Sequence, residues 1–207
     1  MTDSTPPLKA IALTCSLKPS PDPSSAEKLA GEVLHALKTH GVQGESVRVV
    51  DHDIRPGVEA DMGNGDAWPA LRERVMSADI LVLATPTWLG QHTSVAQRVL
   101  ERLDAELSDT DEQGRPRTFG KIALVVVVGN EDGAHHISAT LYQALNDVGF
   151  TIPAQGVSYW NGEAMGQTDY RELSKTPAKT AATTTTAAAN AAHLAALLRE
   201  TPYPPAS

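Results

Sequence analysis

Three stretches carry residues able to do chemistry: Thr14-Cys15-Ser16-Leu17-Lys18 running on to Ser24-Ser25, Thr85-Pro86-Thr87-Trp88-Leu89-Gly90, and Gly129-Asn130-Glu131-Asp132-Gly133-Ala134-His135-His136. The first offers the hydroxyls of Thr14, Ser16, Ser24 and Ser25 and the amine of Lys18. Hydroxyls and backbone amides at a helix N-terminus can hold a monophosphate dianion without a basic clamp. The stretch lacks both the Gly-x-Gly-x-x-Gly and the Gly-Lys-Ser/Thr spacings of the familiar phosphate loops. It also reads as a serine-rich, N-capped loop that binds nothing. In the second stretch Trp88 follows a proline that must end a strand, which suits contact with a flat ring. The same tryptophan can equally cap the core. In the third, His135 and His136 stand where a helix begins. Either can reach a ring oxygen or simply be solvated, and neither has the spacing or acidic companions of a metal site. Glu131 and Asp132 serve as well for turn and cap. No nucleophile–base pair is visible. Cys15 near a helix start could have a lowered pKa, but a small buried residue is the plainer role. The chemistry is therefore expected of a bound cofactor that the protein positions.

These stretches matter only if the fold brings them together. Ile80–Ala84, Ile-Leu-Val-Leu-Ala, is a short apolar run, the length of a strand covered on both faces. Lys9–Thr14 and Lys121–Val128 read the same way, Val47–Val50 is a shorter strand, and Phe150–Pro153 starts a fifth that resumes through Val157. Between them lie helical periodicities. Leu29, Val33, Leu34 and Leu37 recur over Ala26 to His40, with Gly41 as the stop. A short helix spans Ala70–Met76. Val95, Val99, Leu100 and Leu103 share a face over Thr93 to Leu107. Ile137, Leu141 and Leu145 do so over Ala134–Val148, with Gly149 as the stop. The segments 53–69 and 109–118 read as loops, and Tyr159-Trp160-Asn161-Gly162 as an aromatic turn. From Pro177 the chain is rich in Ala and Thr, but Leu194, Leu197 and Leu198 support a last helix to Arg199. Strict alternation of five strands and five helices implies an α/β fold with a parallel sheet and helices on both faces. With a spatial order of 2-1-3-4-5, the three polar stretches become adjacent at the carboxyl edge and form one site.

The 207 residues suffice for one domain, with its core over about 8–200 and residues 1–7 and 201–207 expected to be disordered. A net charge of −8 argues against a nucleic-acid partner. The longest apolar run, Ile122 to Val128, is too short for a bilayer, so no membrane association is expected. The polar start has no signal-peptide core. The single cysteine, Cys15, rules out an intrachain disulfide. A cytoplasmic location is the expectation.

Thr-Cys-Ser-Leu-Lys…Ser-Ser-Ala-Glu-Lys-Leu-Ala, Thr-Pro-Thr-Trp-Leu-Gly and Gly-Asn-Glu-Asp-Gly-Ala-His-His together resemble the flavodoxin-like NAD(P)H-dependent FMN reductase family, over about Lys9 to Gly166. The resemblance implies a flavodoxin-like three-layer sandwich. It assigns the FMN phosphate to Ser16, Lys18, Ser24 and Ser25, with Ala26 standing where the family often has a threonine. Pro86, Thr87, Trp88, Leu89 and Gly90 inherit the loop beside the isoalloxazine. Gly129, Asn130, Asp132 and Gly133 inherit the second flavin loop, and His136 joins this set. The implied activity is NAD(P)H-dependent reduction of a flavin, quinone or other small acceptor by hydride transfer through FMN, with no side chain acting as acid or base. A flavodoxin-type electron carrier that binds FMN without its own NAD(P)H reaction is the rival. A phospho-acceptor receiver domain would need acidic residues where Thr14-Cys15-Ser16 and Thr85-Pro86 stand. By resemblance only, a homodimer or higher homo-oligomer is expected.

Overall fold

The computed structural model describes residues 6–205. The expected disorder of 1–5 and 206–207 lies outside them. Five strands form one parallel sheet: β1 (Lys9–Thr14), β2 (Gln43–Arg48), β3 (Ile80–Pro86), β4 (Ile122–Gly129) and β5 (Val157–Asn161). Their spatial order is β2-β1-β3-β4-β5, the order under which the three polar stretches become neighbours. Five helices connect or flank them: α1 (Ser25–Lys38), α2 (Trp68–Ser77), α3 (Ser94–Leu103), α4 (Ala134–Asp147) and α5 (Ala178–Glu200).

The central strands are apolar on both faces because both faces are covered. Along β3, Leu81 and Leu83 point into the layer built by α2, α3 and α4. Ile80, Val82 and Ala84 point into the layer built by α1 and α5. This period of two divides β1 and β4 in the same way.

Several boundaries differ from the sequence expectation, each for a physical reason. β2 starts at Gln43, not Val47, because an edge strand needs no apolar alternation; Gln43 to Ser46 are exposed. Val49–Asp51 leave the strand as a short 3-10 turn. The loop expected over 53–69 ends early, since α2 begins at Trp68 with Pro69 in its first turn, where the missing N–H costs nothing. β3 runs through Pro86. It outlasts β1, whose last partner is Thr14 opposite Ala84, so the proline borders only β4. The fifth strand does not start at Phe150. Thr151 makes one isolated bridge to Ile122, and the ladder proper opens at Val157. Tyr159 and Trp160 therefore lie in a strand, facing opposite helix layers, and are not part of a turn.

The Ala/Thr-rich segment is helical from Ala178 to Glu200. Its buried residues are Thr180, Thr184, Ala187, Ala188, Ala191, Ala192 and Ala195, while of the leucines that the sequence points to Leu194 and Leu198 pack half-buried against the same layer and Leu197 is exposed. Pro6 and Tyr203, in the ends expected to be disordered, are held. The Pro6 carbonyl accepts from Arg199 Nη1 at 2.6 Å. The Tyr203 hydroxyl bonds Thr151 Oγ1 at 2.9 Å.

Candidate functional site

The carboxyl edge of the sheet carries a cavity of about 270 Å³. Three of its walls are the loops after β1, β3 and β4: Ser16–Lys18 with Pro23–Ala26, Pro86–Trp88, and Val128–Glu131. Trp160 from the end of β5 and the Asp169–Arg171 segment complete it. The three turns are neighbours because β1, β3 and β4 are neighbours, and the first two are also stitched together. Thr93, which caps α3, donates Oγ1–H to the Cys15 carbonyl at 2.8 Å and accepts the Ala96 amide at 3.1 Å. Its own amide bonds Thr85 Oγ1 at 3.1 Å.

The first loop ends in a helix whose N-cap is Ser24. Ser24 Oγ accepts the Glu27 amide at 3.3 Å. Ser16 Oγ accepts the Lys18 amide at 3.1 Å, and Ser25 Oγ accepts the Arg171 amide at 3.2 Å. Each of the three hydroxyls thus receives one backbone N–H. That occupies a lone pair and leaves its own O–H to donate elsewhere. All three line the cavity, beside the first-turn amides of α1, which have no intrahelical partner. This is a donor-rich anion cradle. Arg48, buried at the end of β2, holds the loop from beneath. Its Nη1 donates to the carbonyls of Pro19 at 2.9 Å and Asp22 at 2.5 Å, and its Nη2 pairs with Glu27.

At the other end, Trp88 is 56% exposed at the rim, while Trp160 packs against Tyr170 with ring centroids 5.4 Å apart. Between them, Thr87 Oγ1 and Asn130 Oδ1 are buried and have no hydrogen-bond partner among the described residues. Buried polar atoms are seldom left unpaired without cause. Both belong to residues that line the cavity. Gly129 is required here because a Cβ would stand 2.6 Å from Thr87 Cβ.

Of the fourteen residues singled out from sequence, the cavity brings together Ser16, Lys18, Ser24, Ser25, Pro86, Thr87, Trp88, Gly129 and Asn130. Five do not line it. Leu89 is 91% exposed at the tip of its turn. Gly90 and Gly133 pack backbone to backbone, so that a Cβ on Gly133 would lie 3.0 Å from Gly90 Cα. Asp132 is exposed. His136 bonds Gln91 Oε1 at 3.2 Å, while His135 bonds the Tyr159 hydroxyl at 3.2 Å. Cys15 is fully buried, and burial pushes its thiol pKa up, away from a reactive thiolate. Among the described residues there is no cluster of metal-ligating side chains.

Sequence reasoning missed Asp169, Tyr170 and Arg171. They lie in an aperiodic segment with no motif, and only the fold returns it to the first loop. Arg48 did carry a signal, a lone charge between Val47 and Val49 in a strand.

Comparison with known proteins supplies the context. The model of a family described as NADPH-dependent FMN reductase matches residues 8–164. The chain belongs to this family. Membership carries a flavodoxin-like oxidoreductase fold, FMN as cofactor and a reduced nicotinamide as co-substrate. The chain is 34% identical over 206 residues to an 8-demethyl-8-aminoriboflavin-5'-phosphate synthase of Streptomyces davaonensis, covering 95% of this chain and 80% of that protein. It superposes with a TM-score of 0.87 on the crystal structure of RosB with its bound intermediate 8-demethyl-8-formylriboflavin-5'-phosphate, at 34% identity, covering 95% of this chain and 82% of the other. It is also 41% identical over 161 residues to a divalent metal cation transporter, MntH, of Mycobacterium bovis, covering 76% of this chain. This chain spans about a quarter of that protein's length, the covered share being 24%. No helix among the described residues is long and apolar enough to cross a membrane.

The cavity fits FMN on its own chemistry. Its hydroxyl end matches a phosphate monoester, and its orphaned Thr87 and Asn130 oxygens and two tryptophans match a planar ring with a polar rim.

Proposed function

We propose that this chain is an NAD(P)H-dependent flavin oxidoreductase that reduces a flavin, a quinone or another small acceptor. The observation that carries the reading is the convergence of three donor hydroxyls, Thr87 and Asn130 with their partnerless Oγ1 and Oδ1, and Trp88 and Trp160 around one cavity. When bound, FMN supplies the hydride-accepting chemistry. The chain's own task is positional. Ser16, Ser24, Ser25 and Lys18 hold the phosphate, with the α1 N-terminus behind them. Thr87 and Asn130 meet the polar edge of the ring, and Trp160 walls it. Trp88 stands at the open side, where a nicotinamide or acceptor ring would enter. No side chain in the cavity is placed as a nucleophile or base, so binding and orientation are the protein's contribution. The purified protein should show a flavin spectrum, alone or after addition of FMN. Mixing with NADPH in a stopped-flow instrument should bleach it rapidly. Slow or absent bleaching with FMN bound would instead support the electron-carrier reading.

A second reading has its own support. The relative that aligns over nearly the whole chain is named for a modified flavin phosphate, and the superposed structure holds another. Here the flavin phosphate would be a substrate altered on its ring, in the same cradle. Mass spectrometry of flavin recovered from the protein separates the two: unchanged FMN supports the reductase, and a flavin phosphate of new mass supports the modifying enzyme.

Pairing of two copies over the cavity mouth is also proposed. Leu17, Trp88, Leu89 and Met165 are 47%, 56%, 91% and 92% exposed there. Sedimentation of the purified protein tests it. A reducing compartment such as the cytoplasm suits the unpaired Cys15.

A further inference from the structure

Arg171 lies outside the stretch that matches the family, which ends at residue 164, yet it lines the cavity together with Ser16, Ser24 and Ser25. The segment that carries it is firmly tied. Asn130 Nδ2 donates to the Gly166 carbonyl at 3.1 Å and to Asp169 Oδ1 at 3.3 Å. Lys28 Nζ, from α1, donates to the carbonyls of Tyr170 at 3.2 Å and Leu173 at 3.0 Å. The buried Tyr170 hydroxyl donates to Glu32 at 2.6 Å. So the strap is pinned both to the loop after β4 and to α1, the two elements that also build the cavity.

Its contact with the first loop is threefold. The Arg171 amide bonds Ser25 Oγ, Arg171 Nη1 donates to the Pro23 carbonyl at 2.9 Å, and the residue lines the same cavity as Ser16, Ser24 and Ser25. The guanidinium pairs with Asp169 at 2.9 Å and lies 3.9 Å from Glu172. A guanidinium has five N–H donors. Among the described residues none accepts from Nε–H. The charged side chains lining the cavity are Lys18, Glu131, Asp169 and Arg171. Glu131 is engaged by two backbone amides at the opposite loop. Among the described residues Lys18 and Arg171 are therefore the cations lining the cavity, and of the two Arg171 is the one whose side chain the protein holds, on the Pro23 carbonyl and Asp169.

Building on the flavin-phosphate reading above, we infer that Arg171 is a phosphate-binding residue, delivered by the strap, that makes the site select phosphorylated flavin over riboflavin. Its amide sets the Ser25 hydroxyl as a donor, and its guanidinium adds charge-assisted donors of its own. A purely structural role, closing the strap on Pro23, would affect both flavins alike.

The test is a fluorescence titration of the full chain with FMN and, separately, with riboflavin, at low and high salt. Arg171→Ala should weaken FMN binding about 10- to 100-fold, the range for removing a hydrogen bond to a charged group, and leave riboflavin within about twofold. The salt dependence of FMN affinity should fall, and Arg171→Lys should recover part of it. Arg171→Gln, which keeps a polar side chain but no charge, should behave like the alanine variant, and unchanged riboflavin binding in both guards against simple misfolding. FMN affinity equal to wild type, or equal losses for both flavins, overturns the inference alone. A wild-type protein that binds neither flavin overturns the flavin-phosphate reading and this inference with it.

Discussion

Glu131, in the loop after β4, accepts the Gly90 amide at 3.1 Å and, through its other oxygen, the Leu89 amide at 3.0 Å. One carboxylate thus fixes the turn that presents Trp88. The turn needs such a clamp because Leu89 and Gly90 both have positive φ, 53° and 71°, and a leucine there is strained. Glu131→Ala frees both amides. FMN affinity should fall about tenfold through loosening of the ring end, with little change in thermal midpoint, since no core residue is touched. Parallel fluorescence and calorimetric measurements check this. An unchanged affinity would show that the turn holds its shape without the carboxylate.

Gly129 ends β4 with no room for a side chain. A Cβ would meet Thr87 Cβ at 2.6 Å and Oγ1 at 2.9 Å. Gly129→Ala must push Thr87, with its unpaired hydroxyl, toward the ring space. Overpacking of this kind costs about 1–3 kcal/mol. The expected result is a thermal midpoint lower by about 2–12 °C and loss of FMN binding in the protein that remains folded. The double variant with Thr87→Gly, which removes both crowding atoms, should regain part of the thermal midpoint.

The elements that form the two helix layers were legible because their signals are local. Leu29, Val33 and Leu37, or Ile137, Leu141 and Leu145, show helical spacing, and the apolar runs of β1, β3 and β4 show burial on both faces. The three loops were legible through the topology, since strand alternation dictates which turns share an edge. Three kinds of residue escaped. Edge strand β2 is polar along most of its length, so its pattern offered no start point. The buried face of α5 consists of alanine and threonine, residues small enough to let the helix lie close to the sheet but weak as a hydrophobic signal. The Asp169–Arg171 strap reaches the cavity only through contacts some 140 residues distant in sequence, such as Tyr170 to Glu32, separated by 138.

Asp66 links acid stability to the loop beneath α3. Its side chain is fully buried and pairs with the equally buried Arg102 at 2.7 Å. Burial acts to raise its pKa, but this is outweighed by the amides of Met62 and Arg55, the Arg102 guanidinium and the Trp68 amide, which hold the carboxyl well below the usual carboxylate range. The folded pKa is depressed. Its contribution is therefore complete above the unfolded value, about 3.9, and fades as pH falls below that value toward the folded one. Asp66→Asn leaves a buried guanidinium unpaired, which costs about 3–5 kcal/mol at neutral pH. Thermal midpoints measured from pH 7 to pH 3 should show a large deficit at neutral pH that narrows below about pH 4. A deficit constant over the whole range would mean that Asp66 titrates normally.

The composition of α5 predicts an asymmetry between its faces. Ala188 is fully buried in the α1/α5 layer, and the helix is fastened to β5 by the Ser158–Thr184 hydroxyl bond at 2.6 Å. Ala182 is exposed on the same helix. Leucine and alanine have similar helix propensity, so replacing either alanine by leucine leaves the helix itself nearly unchanged. The difference must come from packing. Ala188→Leu forces an isopropyl group between helix and sheet and should cost about 1–3 kcal/mol, or about 2–12 °C in thermal midpoint. Ala182→Leu should stay within about 0.5 kcal/mol of wild type, the usual range for surface changes. FMN affinity of the folded fraction should be unchanged in both, because α5 lines no part of the cavity. Equal midpoints for the two variants would mean that small residues in α5 are not what sets its distance from the sheet.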